Sequence, residues 1–282
     1  MANISLKLSK EKIENIKKTF KDDIKPNPNE YIDTFISRDN LTISIYKSGK
    51  VVFQGSDALY YGSSFIDTKI SRQAGSDEVG TGDFFGPVCV CACIVEIEQF
   101  PLLEKLGVND SKEINDNKIK EIAPILIKEL KHSLLILENK QYNTVHEHYN
   151  LNAIKAKLHN KAYLNMLNKG YDIPNVSYVD KFCPEADYYA YLDEEKDIYR
   201  KLIFEVRAES QYPAVAVASI ISRYAFLDYF DKMENKYKMQ FHKGSSDTEK
   251  IDSDIQLFIS KYSKNRLDEV AKLHFKNFDK YR

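Results

Sequence analysis

Gln73-Ala74-Gly75-Ser76-Asp77-Glu78-Val79-Gly80-Thr81-Gly82-Asp83 runs directly into Phe84-Phe85-Gly86-Pro87 and the apolar stretch Val88 to Val95. A short apolar segment, a glycine-rich turn and a run of β-branched and small hydrophobic residues predict a strand, a tight turn and a second, buried strand. Three of the four cysteines, Cys89, Cys91 and Cys93, alternate along that run. They therefore share one face of a strand, and thiols so placed act as small hydrophobes rather than as a disulfide framework. This favours a reducing compartment, and the N-terminus MANISLKLSKEKIE lacks the apolar centre of an export signal. The expected location is cytoplasmic.

Downstream, strand and helix patterns alternate, which predicts a mixed α/β domain. A helix is expected from Asp110-Ser111-Lys112 to about Leu130, with Pro124 able to bend it. Strands are expected at Ser133–Leu137, Val176–Asp180 and Phe204–Ala208, with a helical period from Val145 to Leu167 and a further helix opening at Pro213. The tail from Thr248 to Lys276 reads as helices packed by one face each. Upstream, Leu8 to Ile24 reads as an amphipathic helix with Ile13, Ile16, Phe20 and Ile24 inward. Alternating residues on either side of Lys47-Ser48-Gly49-Lys50 read as a hairpin. The turn-prone stretch at Tyr60 to Ser64 places a boundary near residue 70, giving domains 1–70 and 71–282 of the 282 residues.

Lys plus Arg number 41 against 42 Asp plus Glu, so any polyanion site must be local rather than a property of net charge. No stretch approaches the roughly 18 apolar residues of a membrane span, and none is expected. Asp77 and Glu78 interrupt a run that otherwise reads as core, where acids seldom sit without a partner. Asp180 ends a second apolar segment, at the strand end where open α/β sheets place their sites. Oxygen ligands of this kind suit a hard cation such as Mg²⁺. The alternating cysteines have no second ligand pair, and His146 and His148 diverge on a helix, so neither set reads as a metal site. Asn152, Lys155 and His159 form a polar stripe on one helix face, which either lines a groove or faces water.

The segment GSDEVGTGDFFGPV resembles the opening signature of the type 2 ribonucleases H, and its Gly-Thr-Gly form resembles ribonuclease HIII rather than ribonuclease HII, which shows Gly-Arg-Gly there. Five further blocks follow in family order: DSK at Asp110–Lys112, NAIKAKLHNKA at Asn152–Ala162, YVDKFCP at Tyr178–Pro184, AESQYPAVAVASIISRY at Ala208–Tyr224 and HKGS at His242–Ser245. The resemblance covers roughly residues 70 to 280.

The resemblance implies a ribonuclease H-like mixed sheet flanked by helices, preceded by a small α+β domain similar to one half of the TATA-binding protein that helps to grip substrate. In that domain Tyr46, Lys47, Lys50 and Phe53 read as residues able to stack on or attract nucleic acid, and a simple packing module reads the same way. The implied activity is two-metal-ion hydrolysis of the RNA strand of an RNA/DNA hybrid, with Mg²⁺ or Mn²⁺, leaving 5′-phosphate and 3′-hydroxyl ends. Asp77, Glu78, Asp180 and Glu209 match the four metal-binding acids, with Glu205 a nearby competitor for the last place and Asp77 the expected shared ligand. Gly80, Thr81 and Gly82 are expected to read the 2′-hydroxyl, and Lys112, Arg223 and Lys243 to face the phosphates. A monomer is expected. Two rivals remain open: ribonuclease HII-type incision at single ribonucleotides, and a protein that binds hybrids without cutting them.

Overall fold

The computed structural model describes residues 3–58, 61, 71–108 and 114–282, which form two compact units, Met1–Ser71 and Arg72–Arg282. The first unit holds strands β1 (Asn3–Lys7), β2 (Ile24–Lys25), β3 (Ile32–Arg38), β4 (Leu41–Tyr46) and β5 (Lys50–Gln54) and helix α1 (Lys10–Thr19). Its sheet is antiparallel in the order β1-β5-β4-β3-β2. The expected hairpin is β4–β5. Helix α1 is shorter than its apolar period implied, because the Ser9 side chain caps it at Lys12 N (3.3 Å) and the chain turns after Phe20. Ile24, expected inward, instead begins an edge strand and is 44% exposed. The core lies between α1 and the sheet, with Ile16, Phe20, Ile43, Ile45, Val51 and Phe53 buried, so Phe53 packs this core rather than facing out to stack on nucleic acid. Tyr60 and Gly62 to Ser64, read as turn-prone, lie outside the described residues.

The second unit holds β6 (Gln73–Val79), β7 (Val88–Val95), α2 (Phe100–Leu106), α3 (Asp116–Glu129), β8 (His132–Leu137), α4 (Asn139–His146), α5 (Leu151–Asn168), β9 (Ser177–Asp180), α6 (Glu185–Ala190), β10 (Leu202–Glu205), α7 (Pro213–Tyr237) and α8 (Thr248–Tyr262). The sheet order is β10-β9-β6-β7-β8, parallel across β10, β9 and β6 and antiparallel across β6, β7 and β8. Strand β7 is covered on both faces, which is why it reads as a continuous apolar run. Cys89, Cys91 and Cys93 enter one core with residues of α3, α7 and α8, whereas Val88, Val90, Ala92 and Ile94 enter the other with residues of α4 and α5. Each fully buried Val or Ile contributes roughly 1.5–3 kcal/mol of transfer free energy. Gly75 lets β6 lie against the start of α7, since a Cβ there would stand 2.5 Å from Val215 N.

Local chemistry moved several expected boundaries. Asn115 caps α3 at Lys118 N (3.0 Å), so the helix starts at Asp116, and Asp110–Lys112 lie outside the described residues. Pro124 stays inside α3 on its exposed side, where water can satisfy the freed carbonyl. The period from Val145 to Leu167 belongs to two helices, because Asn150 caps α5 at Ala153 N (2.9 Å) and breaks the run. The strand expected to reach Ala208 ends at Glu205. Arg207 takes a left-handed conformation (φ 56) and Ala208–Ser210 form a 3₁₀ turn instead.

Candidate active site

Asp77 and Glu78 lie near the end of β6, and the β6–β9 pairing Ser76↔Val179 brings Asp180 alongside them. Asp180 Oδ1 accepts from Ala208 N (2.9 Å), which anchors the turn carrying Glu209. Tyr212, just past that turn, stacks on Tyr178 of β9 with ring centroids 3.6 Å apart. Glu209 lines a cleft of about 350 Å³ with Glu78, Gly80, Thr81, Ser219 and Arg223. Glu205 sits opposite Asp180 in the β9–β10 register; like Asp77 and Asp180, it is absent from that lining. Burial and the neighbouring charges of Glu78 and Asp180 push the Asp77 carboxyl well above its usual range, against a hydrogen bond from Ser219. Asp77 Oδ1 also accepts from Glu78 N at 2.8 Å, and Ser222 Oγ donates to the Asp77 carbonyl at 3.1 Å.

Glu78 is held differently. Lys155 Nζ lies 3.0 Å from its Oε1 and His159 Nε2 lies 2.9 Å from its Oε2. Burial alone would raise this carboxyl, but the His159 hydrogen bond and charge, followed by Lys155, bring it down to about 2. A carboxylate only accepts, so Nε2 carries a proton, and Nδ1 lies within hydrogen-bonding distance of Ser76 Oγ at 2.8 Å. The ring of Phe182 lies under both, 3.9 Å from Lys155 Nζ and stacked on His159. Lys155 and His159 thus face neither water nor an open groove: both are buried between helix and sheet. Sequence reasoning found the stripe but not its partner. Ser219 and Ser222 were missed, and their signal is a pair of hydroxyls three residues apart in the otherwise apolar start of α7.

The glycine loop is shaped from within. Gly80 has φ +94, and a Cβ there would meet Pro87 O at 2.1 Å, so the chain itself excludes a side chain. Gly82 faces open space and leaves room for a ligand. Below the loop the fully buried Lys272 donates to the carbonyls of Asp83 (2.7 Å) and Gly86 (2.5 Å), and burial lowers its pKa to about 7. Arg223 and Lys243 converge on one carboxylate. Arg223 Nε and Nη2 reach the two oxygens of Asp116 at 3.0 and 3.3 Å, and Lys243 Nζ reaches Oδ2 at 3.1 Å. Lys112 lies outside the described residues.

A mixed five-stranded sheet with acids at the ends of adjacent strands β6 and β9, beside a glycine loop, defines an α/β domain with an acidic candidate site at its strand ends. A sequence profile described as Ribonuclease HII matches residues 74–278, and one described as Domain of unknown function (DUF3378) matches residues 3–77. Ribonuclease HIII of Staphylococcus aureus (strain Newman) is 37% identical, with 99% of this chain and 97% of that protein covered. Ribonuclease HIII of Streptococcus pneumoniae (strain CGSP14) is 36% identical, with 99% of each covered. Among solved structures, Bst-RNase HIII in complex with Mn²⁺ is 28% identical with a TM-score of 0.71, covering 99% of this chain and 97% of that one. Aquifex aeolicus RNase H3 shares the fold at 23% identity and a TM-score of 0.58, covering 97% of this chain and all of that one. The chain belongs to the type 2 ribonuclease H family, on its ribonuclease HIII branch. It is an enzyme of the ribonuclease H class, and no described helix is long and apolar enough to cross a membrane.

Proposed function

We propose that the protein cleaves the RNA strand of RNA/DNA hybrids by a metal-dependent hydrolysis centred on Asp77, Glu78, Asp180 and Glu209. The observation that carries this reading is the placement of Asp77 and Glu78 beside Asp180 on adjacent strands, with Glu209 lining one cleft together with Glu78. As the side chains stand, no group of three His, Cys, Asp or Glu among the described residues is gathered closely enough to hold an ion. The donor set nevertheless fits a hard divalent cation. It offers carboxylate oxygens alone, because both nitrogens of the nearby His159 are taken by Glu78 and Ser76. Two Mg²⁺ or Mn²⁺ ions at this donor set would supply an activated water and charge stabilisation for in-line displacement, giving 5′-phosphate and 3′-hydroxyl ends.

The residues of the chain do the rest. Asp77, fixed by β6 and by Ser219 of α7, is the candidate shared ligand. Glu209 closes the cleft from the turn before α7. The backbone of Gly80, Thr81 and Gly82 offers the contact that tells a 2′-hydroxyl from hydrogen. Arg223 and Lys243 present charge to the phosphates, and the first unit, Met1–Ser71, adds to substrate grip. The test is cleavage of an end-labelled RNA/DNA hybrid beside RNA/RNA, DNA/DNA and single-ribonucleotide duplexes, with metal and with chelator. Cutting confined to RNA in the hybrid, lost in Asp77→Asn while the thermal melt is kept, is the expected result. Activity surviving in Asp77→Asn overturns the assignment, and preferred incision at the single ribonucleotide shifts it to the ribonuclease HII reaction.

A further inference from the structure

Lys155 occupies an unusual place for a lysine. Its side chain is 10% exposed, it rises from the second turn of α5, and its ammonium is clamped between the Phe182 ring and Glu78 Oε1. The role of an ammonium against a proposed metal ligand follows from charge. A divalent cation on Glu78 shares its carboxylate with a fixed positive charge a few ångströms away, in a site that water screens poorly. His159 holds the other oxygen from the same helix through a hydrogen bond anchored on Ser76. The orientation of Glu78 therefore has a second support that does not depend on the lysine.

We propose that Lys155 is a built-in competitor of the divalent cation at Glu78, a positioning residue that lowers the metal affinity of the site. This rests on the reading of Glu78 as a metal ligand. The ammonium satisfies the carboxylate when no ion is bound, and its repulsion weakens the ion when one is. Tight loading then waits for the extra negative charge of the substrate phosphate, so metal and hybrid bind cooperatively.

The experiment is isothermal titration of the full chain with Mn²⁺ alone, comparing the parent with Lys155→Met, Lys155→Gln, Lys155→Arg and Glu78→Gln, with thermal melts with and without the ion. The neutral variants are expected to bind Mn²⁺ at least about tenfold more tightly than the parent and to gain a larger rise in Tm from it. Lys155→Arg, which keeps the charge, is expected to stay near the parent. A lysine with a merely structural role would leave affinity unchanged or reduce it, and that result overturns the proposal. Lys155→Gln keeps a hydrogen-bond donor and carries the test should Lys155→Met not fold; failure of both to fold even in millimolar Mn²⁺ counts against the proposal. Parent binding lost in Glu78→Gln but indifferent to Lys155 removes the competitor role alone. Binding that is absent from the parent and from both neutral Lys155 variants, or that survives Glu78→Gln unweakened, removes the ligand reading and the proposal with it.

Discussion

Two clusters in the second unit are built alike, one carboxylate between two nitrogen-bearing side chains, and they differ in burial. Glu78 (11% exposed) sits between Lys155 (10%) and His159 (0%), whereas Asp116 (39%) sits between Arg223 (29%) and Lys243 (41%). Water screens the second cluster, and pairs of that kind contribute about 0–1 kcal/mol. Its side chains can therefore part at small cost, as the proposed role of Arg223 and Lys243 at phosphates requires. The first cluster has no such freedom, because removing one partner leaves a buried charge uncompensated at a cost of about 3–5 kcal/mol. Like arrangements thus yield a buried, fixed cluster in one place and a water-screened one in the other.

Breaking the buried cluster should have the larger effect. His159→Ala removes the donor to Glu78 Oε2 and the ring nitrogen bonded to Ser76 Oγ. Hybrid cleavage is expected to fall by about 10- to 100-fold, the range for residues that orient metal ligands, with a lowered Tm. Cleavage within twofold of the parent would show that the orientation of Glu78 does not depend on the ring.

Lys272 sharpens the comparison, since it is a buried lysine facing carbonyls rather than a carboxylate side chain. Burial lowers its pKa from 10.5 to about 7 in the folded chain. Between those values the unfolded chain binds the extra proton, so this group makes stability rise with pH from about 7 toward 10.5, the penalty being fully present below the folded value. Denaturant midpoints measured across that window should climb in the parent, and the climb should shrink in Lys272→Met. An identical slope in the two proteins would mean that the lysine keeps its ordinary proton affinity.

The exposed cluster should give the smallest change in stability and a distinct change in binding. Arg223→Ala and Lys243→Ala are each expected to shift stability by no more than about 1 kcal/mol. Each should weaken hybrid binding and reduce the slope of log affinity against log salt by about one contact. An unchanged salt slope would remove that residue from the phosphate path.

Much of this architecture was legible in sequence. The alternation Cys89, Cys91, Cys93 against Val88, Val90, Ala92 identified a strand buried on both faces, because the period of a strand leaves its mark even where both faces are apolar. Asp77, Glu78 and Asp180 stood out for a related reason: acids at the ends of apolar segments need a partner. Helix boundaries were less legible. Asn115 and Asn150 set them through single side-chain hydrogen bonds, whereas the apolar period continues across the break. The stripe Asn152, Lys155, His159 was visible as a pattern, but its meaning depended on a strand some 80 residues earlier in the chain. Nothing local to α5 announces Glu78.

The sequence by itself determined the mixed α/β class, the acids and the order of the family blocks, since periodicity and motif spacing are local properties of the chain. Tertiary structure decided that Lys155 and His159 grip Glu78, that Arg223 and Lys243 share Asp116, and that Lys272 braces the glycine loop. Each of those outcomes joins residues distant in sequence, and whether a charge is fixed or exchangeable depends on the burial that only packing confers.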